Sequence, residues 1–402
     1  MSTLTIAWHG LDLNVDGYNI YRSDSPMDPN NLPSPIASVG PNIGSYDDSS
    51  VVGGNAYYYR VGVIKGGTEI IGKEQKLNAF NFVLVSGSND NTVKKIDSSG
   101  NEVWTFSGNT NGVRAVTVDS NGYVYSGSYD DTVRKLDPDG NEIWIFTGHT
   151  DDVYAVAVDS DGYVYSGSED STLKKIDSSG NEVWTFTGHG DRVESIAIDS
   201  NDNVYTGSND TNVRKIDPDG NQVWAFSRDS FKIRTVAFDS NGYVYFGGGN
   251  DRVTKVDPSG NGVWSFSGHT YTVYGISVDS NGNVYSASLD NTLKKIDSSG
   301  NEIWTFSGHS DYVMGVAVDS NGNVYSASND NTVKKIDSDG NEVWTFTGHT
   351  SSVLGVAVDS NGYVYSGSSD NTVKKIDPDG NEVWTFTGHT SSVRSIAVYE
   401  SY

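Results

Sequence analysis

Three features predict an all-β fold, with an eight-bladed β-propeller following a small N-terminal β-sandwich. A 40-residue unit recurs without an insertion from about residue 80 to the C-terminus. Each copy holds four short runs rich in Val, Ile, Tyr and Trp, residue types that suit a pleated, half-buried surface. Asp-Gly, Asn-Gly and Ser-Gly pairs lie between the runs and supply the tight reversals of antiparallel strands.

Residues 148–184, GHTDDVYAVAVDSDGYVYSGSEDSTLKKIDSSGNEVW, contain one unit in full. Its predicted strands are a (153–158), b (163–168), c (172–176) and d (182–186). Strand a recurs at Val113, Val153, Val193, Ile233, Val273, Val313, Val353 and Val393. Strand b begins near Phe82 and again near Tyr123, then recurs to Tyr363, and strand c recurs from Thr92 to Thr372. Strand d carries Trp104, Trp144, Trp184, Trp224, Trp264, Trp304, Trp344 and Trp384. The phase of the repeat points to a closed ring. It opens with b, c and d over residues 82–106 and ends with a lone a strand at 393–398. If the last strand completes the first blade, no end blade is left exposed. An open stack would need polar caps, which this sequence lacks. The expected domains are therefore 1–79 and 80–402. One Trp at a fixed place in every blade is expected to wedge between neighbouring blades, in preference to stacking on a ligand.

The first domain carries a different pattern. LTIAWHG (4–10), DGYNIYRSD (16–24) and NAYYYRVGVIKGG (55–67) read as strands, and the Pro- and Asn-rich stretch 27–35 reads as a loop. Alternation puts Tyr18, Ile20 and Arg22 opposite Asn19 and Tyr21. Trp8 and Tyr58 are its core candidates.

Composition excludes several function classes. Acidic residues outnumber basic ones 52 to 27, for a net charge of −25. A nucleic-acid partner is not expected, because phosphate binding needs clustered Lys and Arg. No cysteine is present, which removes disulfides, thiolate metal sites and thiol nucleophiles. Residues 1–20 lack the basic start and apolar core of a leader, and membrane insertion is not expected.

The repeat resembles a WD repeat: Gly148–His149 opens it, and SGSEDSTL (166–173) matches the b–c turn. Ile176–Asp177 stands where a WD repeat ends strand c with Trp-Asp. The DSSGNEVW run resembles quinoprotein-type propeller repeats, and GVAVDSNGNVY (315–325) is similar to an NHL-type repeat. Trp8, the DGYNIYR strand and the GNAYYYRVGVIKGG strand resemble a fibronectin type III module whose first strand is short or missing. The WD resemblance implies that two recurring residues orient the d–a and b–c turns by hydrogen bonds. These are His149, His189, His269, His309, His349 and His389, and Asp90, Asp130, Asp170, Asp210, Asp290, Asp330 and Asp370. Asn109 and Asp229 replace the histidine and Asn250 replaces the aspartate, so the network should differ there. Metal binding is the alternative role, but one His per blade does not supply converging ligands. The DSNG (119–122) and DPDG (137–140) turns look like fragments of calcium loops but lack the long loop with its terminal Glu. Asx turns account for them.

Functional information lies where the repeats differ. The residue opening the b–c turn varies (Asn89, Tyr129, Glu169, Asn209, Gly249, Leu289, Asn329, Ser369), as does the second residue of strand a. Both, with the d–a loop, belong to one end of a four-stranded blade. Segment 225–262 diverges most, with SRDSFKIR at 227–234 and Phe246 followed by three glycines. The candidate binding residues are Tyr129, Tyr154, Glu169, Glu194, Phe231, Arg234, Arg252, Tyr274, Tyr312 and Met314. No catalytic, cofactor or metal residue is assigned, because an enzyme would need a non-repeated constellation. The expectation is a non-enzymatic structural or recognition protein. A fibronectin-like module joined to an Asn-, Gly- and Ser-rich propeller resembles appendage or decoration proteins of bacteriophage virions. That resemblance implies a virion or extracellular location, with other virion or surface proteins as partners and glycans as a second class. A bacterial adhesin or a cytosolic scaffold is the alternative.

Overall fold

The computed structural model describes residues 2–7, 15–41, 43, 45–51, 56–78, 81–227 and 231–401. Trp8, His9 and Asp229 lie outside the described residues. The chain divides into two units, residues 1–82 with 400–402, and residues 83–399.

In the first unit, Ala37–Val39, Gly17–Ser23, Ala56–Lys65 and Thr68–Ile71 pair in that order, and Gln75–Asn78 also pairs with Ala56–Lys65. Ser2–Ala7 pairs with Ser45–Val51 in a second, two-stranded sheet. Ile6, Ile20, Val51, Tyr57 and Tyr59 form the core. Tyr58 corrects the sequence reading: it is half-buried, and its neighbours Tyr57 and Tyr59 face inward. The buried Asp48 carboxylate fixes that register, since Tyr59 donates to it at 2.9 Å and Arg22 pairs with it at 2.9 Å. A buried carboxylate without such partners would cost several kcal/mol (~3 or more).

The second unit contains eight four-stranded antiparallel sheets. One blade comprises Val153–Val158, Val164–Ser168, Leu173–Ile176 and Glu182–Phe186, paired in the order a, b, c, d. Strands b and c each begin one residue later than the sequence suggested, because Tyr163 and Thr172 belong to the turns. Seven blades run consecutively. The remaining sheet joins Glu102–Phe106, Val93–Ile96, Asn81–Ser88 and Val393–Ser401, so strands from the two ends of the repeat share one blade. Blades are numbered here from this one, in chain order, as one to eight.

Strand b is buried along its length, with Tyr165 and its six tyrosine equivalents in other blades among the largest fully buried side chains. The Tyr165 hydroxyl donates to Asp159 at 3.1 Å. Burial first, and then that carboxylate, push the phenol well above its ordinary range. Strand d is the outer edge. Its pairing slips between Lys175 and Ile176, which leaves Val183 exposed on a bulge. A bulged edge with Glu182 beside it is a poor template for a further strand.

Blades are locked to one another by one repeated contact. The indole Nε1 of Trp144 donates to the Ser178 carbonyl in the c–d turn of the next blade at 3.1 Å. The same bond occurs at every blade, and Trp384 closes the ring on Ser98 at 3.1 Å. Lys135 donates to that same Ser178 carbonyl, as do its equivalents in several blades. Gly180 (φ +90°) lies against the ring; a Cβ there would come within 2.8 Å of it. A left-handed turn residue without a side chain is therefore required at this place.

Candidate binding face

The d–a loop and the b–c turn of each blade are tied together before any variable side chain is considered. In blade three, the Glu169 amide donates to Asp152 O at 2.8 Å and Ser168 Oγ to Asp151 O at 2.9 Å. Behind them, His149 Nδ1 meets Asp170 at 2.8 Å and Nε2 meets Ser166 at 2.7 Å. A carboxylate only accepts, so Nδ1 carries the proton and Nε2 accepts from the serine. Burial alone would raise the Asp170 carboxyl, but bonds from His149 and Thr172 hold it well below the usual range. In blade one the pairing crosses the chain ends, with His389 against Asp90 at 2.9 Å. Blade two differs as expected from Asn109: Arg134 takes the histidine's place, reaching Asn109 at 2.6 Å and Asp130 at 2.9 Å. In blade five Phe246 is buried and packs edge-on against Phe226 at 5.8 Å.

On this frame the variable residues form a continuous arc. Arg114 lies over the Tyr154 ring at 5.7 Å, and Tyr129 meets the same ring edge-on at 5.6 Å. Arg192 covers Tyr154 at 4.1 Å and pairs with Glu169 at 3.0 Å and Glu194 at 2.8 Å. Glu194 also holds Arg234 at 2.9 Å. Arg234 then leads into a cleft of about 390 Å³ lined by Phe231, Lys232, Arg234, Gly249, Thr272, Tyr274 and Leu289. Beyond it, the exposed rings of Tyr271 and Tyr312 lie nearly parallel, 6.3 Å between centroids and 12° between planes.

The structure thus brings together Tyr129, Tyr154, Glu169, Glu194 and Arg234, and separately Phe231, Arg234 and Tyr274. Tyr312 joins Tyr271. Arg252 and Met314 do not line the cleft. Arg192, Lys232, Gly249, Tyr271 and Leu289 belong to the arc or its clefts and are not among the candidate binding residues named from sequence. All five stand at variable positions, and Arg192 had a further signal: a lone Arg between repeat-varying Glu169 and Glu194.

The arc is electrically uneven. At its blade-three end, the carboxylates of Asp131, Asp151 and Asp152 approach within 4.8 Å of one another. Partial burial, then the Asp151 charge, raise the Asp131 and Asp152 carboxyls. The blade-five end carries Lys232, Arg234 and Arg252. The opposite end of the ring is uniform. There the Asp119 and Asp137 carboxylates accept backbone amides of their own turns, as expected of Asx turns. Clefts of about 380, 220 and 170 Å³ on that end repeat the same Asp-, Ser- and Lys-lined seam between blades.

Among the described residues no nucleophile, base and oxyanion donors converge, and the recurring histidines and their aspartate partners are engaged in turn networks repeated around the ring. Fold and face define a β-propeller scaffold of eight four-stranded blades with one non-repeated face. The sequence profile of the outer membrane protein assembly factor BamB family matches residues 89–225, 129–267, 209–323, 249–354 and 289–400, and the chain belongs to that family. The crystal structure of the computationally designed Ika8 protein is similar at 26% identity, with a TM-score of 0.65 over 70% of this chain and 89% of that one. The WD40 β-propeller domain of Doa1 is similar in fold at 24% identity, with a TM-score of 0.56 over 65% of this chain and 92% of that one. No curated protein matches the chain.

Proposed function

We propose that the protein is a recognition scaffold that holds a protein partner on the arc running from Tyr129 to Tyr274. One observation carries this reading. Eight blades repeat their core, their Trp contacts and one turn face, and the non-repeated aromatic and charged side chains gather on the other face. Uniform positions answer to folding, whereas a cluster of Tyr, Arg and carboxylates suits the centre and rim of a protein interface. The family's description as an assembly factor is consistent with a partner-binding role. In the finer reading the partner is a structural protein of a virion or cell surface, and the N-terminal, fibronectin-like unit anchors the propeller there. That part rests on architecture and composition alone.

A second reading, glycan binding, is favoured by the exposed parallel rings of Tyr271 and Tyr312, which offer flat faces to sugar C–H groups. One experiment separates the readings. Tagged protein is recovered from its native source, and co-purifying proteins are quantified for wild type, Tyr154→Ala/Tyr274→Ala and Asn321→Ala, the last on the uniform face. The double variant should lose about tenfold or more of a stoichiometric partner, while Asn321→Ala retains it. Equal recovery by all three sinks the proposal, and release by free sugar transfers the face to the glycan reading.

A further inference from the structure

The blade-five cleft has a specific origin. Every other blade places a side chain where blade five has Gly249: Asn89, Tyr129, Glu169, Asn209, Leu289, Asn329 or Ser369. A Cβ on Gly249 would meet nothing nearer than Phe231, at 3.9 Å, so the cleft is the room that a missing side chain leaves open. The preceding Gly248 matters as well. Other blades have a serine there, but in blade five a Cβ would run into the Lys232 carbonyl, so the d–a loop lies closer in. The loop is then held by the Gly249 amide donating to Lys232 O at 3.0 Å.

The lining specifies the ligand class. Phe231, Tyr274 and Leu289 give apolar walls, and Phe231 is about half exposed at 51%. The volume of about 390 Å³ is at the small end of ligand pockets, roughly 300–1,000 Å³, which suits one or two side chains. Lys232 stands at this apolar wall with no ion-pair partner among the described residues, while Arg234 is already held by Glu194. An ammonium beside an apolar surface favours a carboxylate arriving with its own apolar neighbour, a short-range pairing made locally on a chain whose overall charge is −25.

Resting on the reading of this face as a protein-binding surface, we infer that the cleft takes an acidic segment of the partner. A bulky apolar side chain fills the space above Gly249, and a nearby Asp or Glu pairs with Lys232. The test pans a display library of short random peptides on the full-length protein and depletes it on the Gly249→Asn variant. Asn is the residue three other blades carry there, so the variant should keep the wild-type melting temperature. The enriched peptides should place Leu, Ile, Phe or Trp within a few residues of Asp or Glu. In calorimetric titration, Gly249→Asn and Lys232→Gln should each weaken them by about tenfold or more, the latter less so at high salt. Asn321→Ala should change nothing. Enriched peptides without carboxylates, or binding indifferent to both variants, overturns the assignment. If such peptides instead lose affinity with Tyr154→Ala, the face stands as a binding surface and the cleft assignment falls. If no variant on either face matters, both readings fall together.

Discussion

At the scale of single residues, one tryptophan contact repeated around the ring does most to set the architecture. Trp144 is 8% exposed, its Nε1–H is bonded to Ser178, and its ring covers Gly180. Trp144→Phe keeps much of the apolar area and removes the donor. The Ser178 carbonyl is then left with Lys135 at 3.5 Å. Ser178 itself is exposed, so the expected cost is about 0.5–1.5 kcal/mol, the net worth of one hydrogen bond. Gly180→Ala should cost more, since it combines a positive φ with a clash against the indole. Thermal unfolding of both variants checks this ordering. Wild-type melting by either would mean that the seam is held by something other than the indole and its turn.

At the scale of strands, the element that matters most is the last one. Val393–Ser401 is strand a of a blade whose other strands lie some 300 residues earlier. Val393 is fully buried, the contact most often worth roughly 1.5–3 kcal/mol for such a side chain. Ser88 Oγ bonds Ser391 O at 3.0 Å, and the Asn89 amide bonds Ser392 O at 2.9 Å. Removing residues 391–402 should lower the melting temperature and split a single calorimetric transition, because blade one loses its inner strand and blade eight loses its neighbour. One unchanged transition would show that the ring does not depend on this strand. Most of this was legible in the sequence, since strand spacing and repeat phase depend only on period and turn residues. Tyr58 was misjudged because alternation does not say which face is inward; the buried Asp48 decides it. The cleft was not legible for a different reason. It is made by the absence of a side chain at Gly249 and by walls from two blades, and no local pattern records how those approach. The Arg192 pairs likewise need the blade-to-blade geometry that puts Glu169 and Glu194 on either side of it.

For the molecule as a whole, the repeated polar networks make stability depend on pH in one direction. Burial pushes the His189 and His349 imidazoles down from their ordinary value, only partly opposed by Asp210 and Asp370. The unfolded chain therefore binds protons at these sites first, and stability falls as pH drops below about 6.5. Asp370 is buried too, which alone would raise it, yet Thr372, the Thr350 amide and His349 hold it down at about 2. Asp90, Asp170, Asp290 and Asp330 are held lower still by the same set of partners. Their contribution is present above the unfolded value near 3.8 and is lost as pH falls from there through the folded values. One effect opposes this: protonating exposed carboxylates relieves the repulsion of a chain with net charge −25. Exposed charges are screened over about 8 Å at physiological salt, whereas the buried networks are not, so the networks should win. The melting temperature in 0.15 M salt (about physiological) should decline gently between about pH 7 and 5 and steeply below about pH 4. Replacing His349 by Asn should flatten the upper part and leave the steep part in place. A melting temperature that rises on acidification would mean that charge repulsion, not the His–Asp networks, governs the stability of the ring.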